Sequence, residues 1–196
     1  PYHIEVGDFN SDGRQDIVVA HSEGLQIFMR DASSTWSSIH ITSTVAYGFI
    51  AIGDLNSDGK ADIVVSPVSR SASQSIYGYI NSYTSGTLAA SDFTTLTISH
   101  WPTNQYSSTL RNHHLSLADI NWDGKMDIIS GQLGGYYSAD HWIIENRASD
   151  MDSLSGSDFG TPIKINTHYL INPGRWPRYR HTFAADFNKD SVPDLV

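Results

Sequence analysis

Apolar and polar residues alternate along this chain in short segments, and the segments recur. Ile4 and Val6, Ile50 and Ile52, and Leu115 and Leu117 each stand just ahead of an Asp-rich stretch, with Thr182 and Ala184 at the same place in a fourth copy. The residue that follows is small each time: Gly7, Gly53, Ala118 and Ala185. A two-residue period closed by a small residue predicts a strand that packs where space is tight. Behind each Asp-rich stretch a run of apolar residues, rich in Ile and Val, predicts a second strand over 17–20, 63–66 and 128–131. A third strand is predicted over 25–29, 76–80 and 142–145, and a fourth near 38–42, 93–98 and 161–165. Four strands per repeat predict the blade of a β-propeller. The all-β reading divides a single fragment into blades of about 1–46, 47–111 and 112–179, with an incomplete one over 180–196.

The Asp-rich stretches are repeats themselves. GDFNSDGRQDIVV at 7–19 returns as GDLNSDGKADIVV at 53–65, as ADINWDGKMDIIS at 118–130 and as ADFNKDSVPDLV at 185–196. Each reads Asp-x-Asn-x-Asp followed by Asp at the ninth position. The donors are Asp8, Asn10, Asp12 and Asp16; Asp54, Asn56, Asp58 and Asp62; Asp119, Asn121, Asp123 and Asp127; and Asp186, Asn188, Asp190 and Asp194. Backbone carbonyls of Arg14, Lys60, Lys125 and Val192 are expected to add one oxygen each. Alternate side chains of a tight loop converge, and carboxylate and amide oxygens suit a hard cation; calcium takes roughly six to eight such oxygens. Gly13, Gly59 and Gly124 permit the sharp turn. The fourth copy departs from the others with Ser191 in place of the glycine and Pro193 inside the loop.

An EF-hand would end its loop in a bidentate Glu at position twelve and enter a helix. Position twelve here is Val19, Val65 or Ser130, and a strand pattern follows. The signal is therefore a calcium loop between two strands. The charge balance agrees. The formal net charge is −9, and four divalent ions would bring it to about −1. That acidity argues against a nucleic-acid partner. With no Cys in 196 residues, disulfides and thiolate chemistry are excluded, and metal ions become the natural staple. No apolar run is long enough to insert in a membrane.

With strands on both sides of each loop, GDFNSDGRQDIVV and its copies resemble the FG-GAP/VCBS repeats of integrin α-subunit-type propellers. The resemblance implies that each loop joins the first and second strands of a blade and holds calcium, and it implies an extracellular or cell-surface setting. It leaves function open, because adhesion receptors, lectins and sugar-active enzymes share the motif. The chain opens on an innermost strand and reaches a second strand of a fourth copy, so the rest of a larger propeller chain, or self-association, is expected to complete the ring.

In this topology the calcium loops share one face, and the links between blades lie on the other. Those links carry the candidate ligand contacts. Trp101, Tyr106 and Arg111 precede the third blade, Tyr136, Tyr137 and Trp142 fall between its second and third strands, and Trp176 and Arg178 precede the fourth. Aromatic faces beside hydrogen-bonding groups suit sugar rings. Five residues ahead of each first Asp stand His3, Phe49, His114 and His181, near the predicted channel mouth. These imidazoles suit a transition metal or acid–base work, or they wedge between blades and donate to backbone carbonyls. No nucleophile motif occurs, and no catalytic residue is assigned. The leading reading is a calcium-stabilised recognition or adhesion propeller, lectin-like, for a glycan or an extracellular protein. The alternatives are a lyase or dehydratase acting on a sugar or polyuronate, and a purely structural module.

Overall fold

The structure is a computed structural model that describes residues 1–68, 75–100, 111–133, 139–165, 184–185, 187 and 194–195. Three four-stranded antiparallel sheets follow one another along the chain. The first holds β1 (His3–Gly7), β2 (Asp16–His21), β3 (Gly24–Arg30) and β4 (Trp36–Thr42). The second holds β5 (Tyr47–Gly53), β6 (Asp62–Pro67), β7 (Ser75–Asn81) and β8 (Phe93–His100). The third holds β9 (Arg111–Ala118), β10 (Asp127–Leu133), β11 (Ala139–Ile144) and β12 (Ile163–Ile165). A strand pair, β13 (Ala184–Ala185) and β14 (Asp194–Leu195), repeats the opening of a sheet. Within each sheet the strands lie side by side in chain order, which is the meander of a propeller blade.

The pairing register repeats with the sequence. Gly7 pairs with Asp16, Gly53 with Asp62, Ala118 with Asp127 and Ala185 with Asp194. Two boundaries differ from expectation. Arg111 opens the third sheet instead of closing the second, and β11 begins at Ala139, ahead of the third strand expected from Trp142. Polar residues at alternate positions hide a strand of this kind, because only every second side chain faces the interior.

Among the described residues the core consists of two clusters, each between neighbouring sheets. Val18, Ala20, Leu25, Ile27 and Met29 of the first sheet meet Ile50, Ile63, Val65 and Tyr79 of the second. On the other side of the second sheet, Ala51, Val64 and Ile76 meet Leu115, Ile128 and Ile144 of the third. The second sheet is thus covered on both sides, and all six residues of β6 are buried. Each such aliphatic side chain contributes roughly 1.5–3 kcal/mol on burial. The small residue closing each first strand marks the closest approach. A Cβ on Gly7 would stand 3.2 Å from Ile52 Cγ2, and one on Gly53 would stand 2.9 Å from Leu117 Cδ1.

Candidate metal-binding loops

Each loop leaves its first strand and returns as the second, so the two strands hold its ends at a fixed separation. Two left-handed residues curl it. Ser11, Ser57 and Trp122 at the fourth position have φ of 56°, 57° and 65°, and Gly13, Gly59 and Gly124 at the sixth have φ of 80°, 83° and 82°. Nothing lies within 4 Å of a Cβ built on any of the three glycines, so backbone conformation and not space selects glycine there.

The first Asp of each loop caps the turn. Asp8 accepts from the N–H groups of Asp12 (3.1 Å) and Gly13 (2.8 Å). Asp54 does the same for Asp58 and Gly59, and Asp119 for Asp123 and Gly124. The fifth-position Asp accepts from the N–H two residues on, in Arg14, Lys60 and Lys125. The side chains of those same residues pair with it: Arg14 with Asp12 at 2.7 Å, Lys60 with Asp58 at 2.8 Å and Lys125 with Asp123 at 3.4 Å. This base at position seven was assigned only a carbonyl from the sequence, although its recurrence two residues after an Asp was a readable signal.

The ninth-position Asp is the interior member. Asp16, Asp62 and Asp127 are fully buried. One oxygen of each accepts from the loop's second residue, in Phe9 (3.0 Å), Leu55 (2.8 Å) and Ile120 (3.0 Å). The other accepts from the backbone beyond or at the end of the third strand, in Arg30 (3.4 Å), Asn81 (2.8 Å) and Asn146 (2.9 Å). None of the three makes an ion pair among the described residues. Burial, with repulsion from the other loop carboxylates, outweighs these donors and raises the pKa of all three, that of Asp62 to about 7.

The middle Asn residues differ among loops. Asn10 and Asn121 accept from the N–H of Asp12 and Asp123. In the second loop the Asn56 Oδ1 is buried with no hydrogen-bond partner. An orphaned amide oxygen beside an uncompensated buried carboxylate fits a cation, as does the all-oxygen donor set. Among the described residues, however, no three His, Asp or Glu side chains converge closely enough to hold a metal ion as they stand. In the fourth copy, Asp194 opens β14, while Asp186, Asn188, Asp190 and Val192 lie outside the described residues.

Asn81 and Asn146, which no local pattern marked, reach across the sheet boundaries. Asn81 Nδ2 donates to Phe9 O of the first loop at 2.8 Å, and Asn146 Nδ2 donates to Leu55 O of the second at 3.1 Å. Asn81 ends the third strand of its sheet and Asn146 follows that of its own, in the stretches YIN and IEN, and their partners stand 72 and 91 residues back in the chain.

Of the candidate ligand contacts, Trp101, Tyr106, Tyr136, Tyr137, Trp176, Arg178 and His181 lie outside the described residues, as does the side chain of Arg111. Two candidates lie largely buried. Trp142 is only 7% exposed and belongs to the second core cluster, with Lys164 Nζ 5.9 Å from the centre of its ring. His114 is 8% exposed. His3 sits at a sheet boundary: its Nδ1 accepts from Ile50 N–H at 3.2 Å, and its ring stands 5.4 Å from that of Phe49. There the imidazole accepts from a backbone N–H, where donation to a carbonyl was expected.

Residues 8–65, which run from the first loop through the second, match the family model of the FG-GAP-like repeat. No curated protein matches the chain. Repeats of this kind are typical of extracellular and cell-surface proteins. Among the described residues, no helix is long and apolar enough to cross a membrane.

Proposed function

For a chain that carries FG-GAP-like repeats, we propose a calcium-stabilised, extracellular recognition propeller. Its loops hold the ions, and the opposite face binds a glycan or protein ligand. The observation that carries the calcium assignment is the buried, uncompensated carboxylate, found three times in the same place: Asp16, Asp62 and Asp127. A buried charge without a partner is costly, and a divalent cation supplies the countercharge. The first, third and fifth loop positions would bring the remaining side-chain oxygens, with the position-seven carbonyl. Since the side chains do not yet converge, binding draws the loop carboxylates inward, and it stabilises only the folded chain.

Glycan recognition rests on the sequence of the links, above all Trp101, Tyr106 and Trp176. EDTA is expected to lower the melting temperature by several degrees, restored by excess calcium; at a hundredfold excess over Kd a single site contributes about 2.7 kcal/mol. An unchanged melting temperature refutes the calcium assignment. On a glycan array, Trp101→Ala or Trp176→Ala is expected to abolish the signal of the parent chain, and undiminished binding moves the ligand elsewhere.

A further inference from the structure

The loops are not independent of one another. The ninth-position carboxylates of the second and third loops, Asp62 and Asp127, are each tied to the loop of the preceding sheet by an unbroken series of hydrogen bonds. Asp16 accepts from Phe9 N–H (3.0 Å), and Phe9 O accepts from Asn81 Nδ2 (2.8 Å). Asn81 N–H donates to Asp62 (2.8 Å), which also accepts from Leu55 N–H (2.8 Å). Leu55 O accepts from Asn146 Nδ2 (3.1 Å), and Asn146 N–H donates to Asp127 (2.9 Å). One residue of each of the first two loops, Phe9 or Leu55, is thus held on both sides, its N–H by its own loop's buried Asp and its C=O by the next sheet's Asn.

We infer that Asn81 and Asn146 are positioning residues that couple adjacent loops, so that a cation in one loop raises the affinity of the next. The inference rests on the proposal that the loops bind a divalent cation. Its physical basis is that the same Asn residue contacts both loops. Its side chain fixes the second residue of one loop, and its backbone N–H fixes the interior carboxylate of the other. Ordering either loop holds the Asn amide in place, so the second loop is ordered at smaller entropic cost. These bonds lie in a buried setting, where hydrogen bonds in series polarise one another. The arrangement occurs twice, between unlike side chains and across different chain separations, which marks it as a property of the repeat. In the first sheet Arg30 occupies the equivalent place, and its guanidinium turns to Ser34 Oγ instead.

The third loop contains its own reporter, because Trp122 is its fourth residue and is exposed. Terbium, an oxygen-seeking ion, bound there would be excited through that indole. The affinity of the third loop is read by Trp-sensitised terbium luminescence in the full chain, with the second loop intact or crippled by Asp58→Ala. Crippling it is expected to weaken terbium binding at the third loop by at least about fivefold. With Asn146→Ala present, the same change is expected to alter that affinity by less than about twofold. Asn81→Ala breaks the link between the first two loops, together with the Asn81 bonds to Ala61 O and Tyr83 N–H, and leaves the Asn146 link to the third loop in place, so it is expected to leave the fivefold ratio intact, which general destabilisation would not. If Asn146→Ala does not fold, Asn146→Asp takes its place, since it removes the donor while keeping an acceptor for Ala148 N–H. A ratio that survives in the Asn146 variants overturns the inference, and so does a ratio near one in the parent chain, while binding itself leaves the calcium assignment standing. No terbium signal, together with no calcium heat by calorimetry, overturns both.

Discussion

Ile4 and Ile50 hold the same position in successive repeats and meet opposite fates. Ile50 is 1% exposed and Leu115, the third member, 3%, whereas Ile4 is 56% exposed. The difference lies in the neighbour. The side of the second sheet that carries Ile50 is covered by Val18, Ala20, Leu25 and Ile27 of the first, and the side of the third that carries Leu115 is covered by Ala51, Val64 and Ile76 of the second. The corresponding side of the first sheet, with Ile4 and Val6, faces outward among the described residues. Alternation along a strand specifies which side each residue takes, and only the packing of another sheet turns that side into core. The polar contacts divide the same way: Asn81 and Asn146 latch backwards onto the previous sheet, while Arg30 bonds within its own.

The comparison is broken or sharpened most strongly by truncating the shared position. Ile50→Ala is expected to cost about 2–5 kcal/mol in urea unfolding, and Ile4→Ala no more than about 0.5 kcal/mol. Equal costs would show that the outward side of the first sheet is packed in solution. Next in size is the latch. Asn81→Ala leaves the Phe9 carbonyl buried without its side-chain donor and is expected to cost about 1–3 kcal/mol, against a change near zero for Arg30→Ala by the same measurement. The smallest effect belongs to the outward side itself, where the ring of His21 stacks on that of His40 with centroids 4.8 Å apart. Burial, and then repulsion from His40, lowers the His21 pKa below its ordinary value. Between that lowered value and about 6.5 the unfolded chain binds more protons at this site, so the contribution of His21 to stability is expected to rise with pH, against the opposite contribution of the buried carboxyls whose pKa values are raised. The difference in urea midpoint between the parent chain and a His21→Gln variant, followed at intervals from pH 8 to pH 5, isolates that contribution, and a difference that does not change with pH refutes it.

Much of this architecture was legible because the repeat carries its own punctuation. The small residue, the Asp ladder, the glycine and the β-branched run each follow from a local requirement, so the strands flanking each loop appear where the pattern put them. What could not be read was non-local. Asn81 and Asn146 act on carbonyls in another sheet, and nothing within a few residues of either distinguishes a latch from an ordinary strand-end Asn. The burial of Trp142 was missed for a related reason. An indole next to His141 in a polar stretch reads as an exposed loop, whereas the pleat turns His141 and Trp142 to opposite sides and buries the larger one. The ion pairs of Arg14, Lys60 and Lys125 were local and could have been read from the recurrent spacing of base and Asp.

The small residue that closes each first strand acts as a gauge. At Gly53 a single methyl would come within 2.9 Å of Leu117, so the innermost strands of the second and third sheets could not approach as they do without displacing that side chain. Ala118 already carries the methyl, and the following copy has Ala184 where the others have Ile52 and Leu117. The sum of bulk across the seam is therefore held down by whichever partner can shrink. At the two seams between the described sheets, that bulk sets how closely the innermost strands approach.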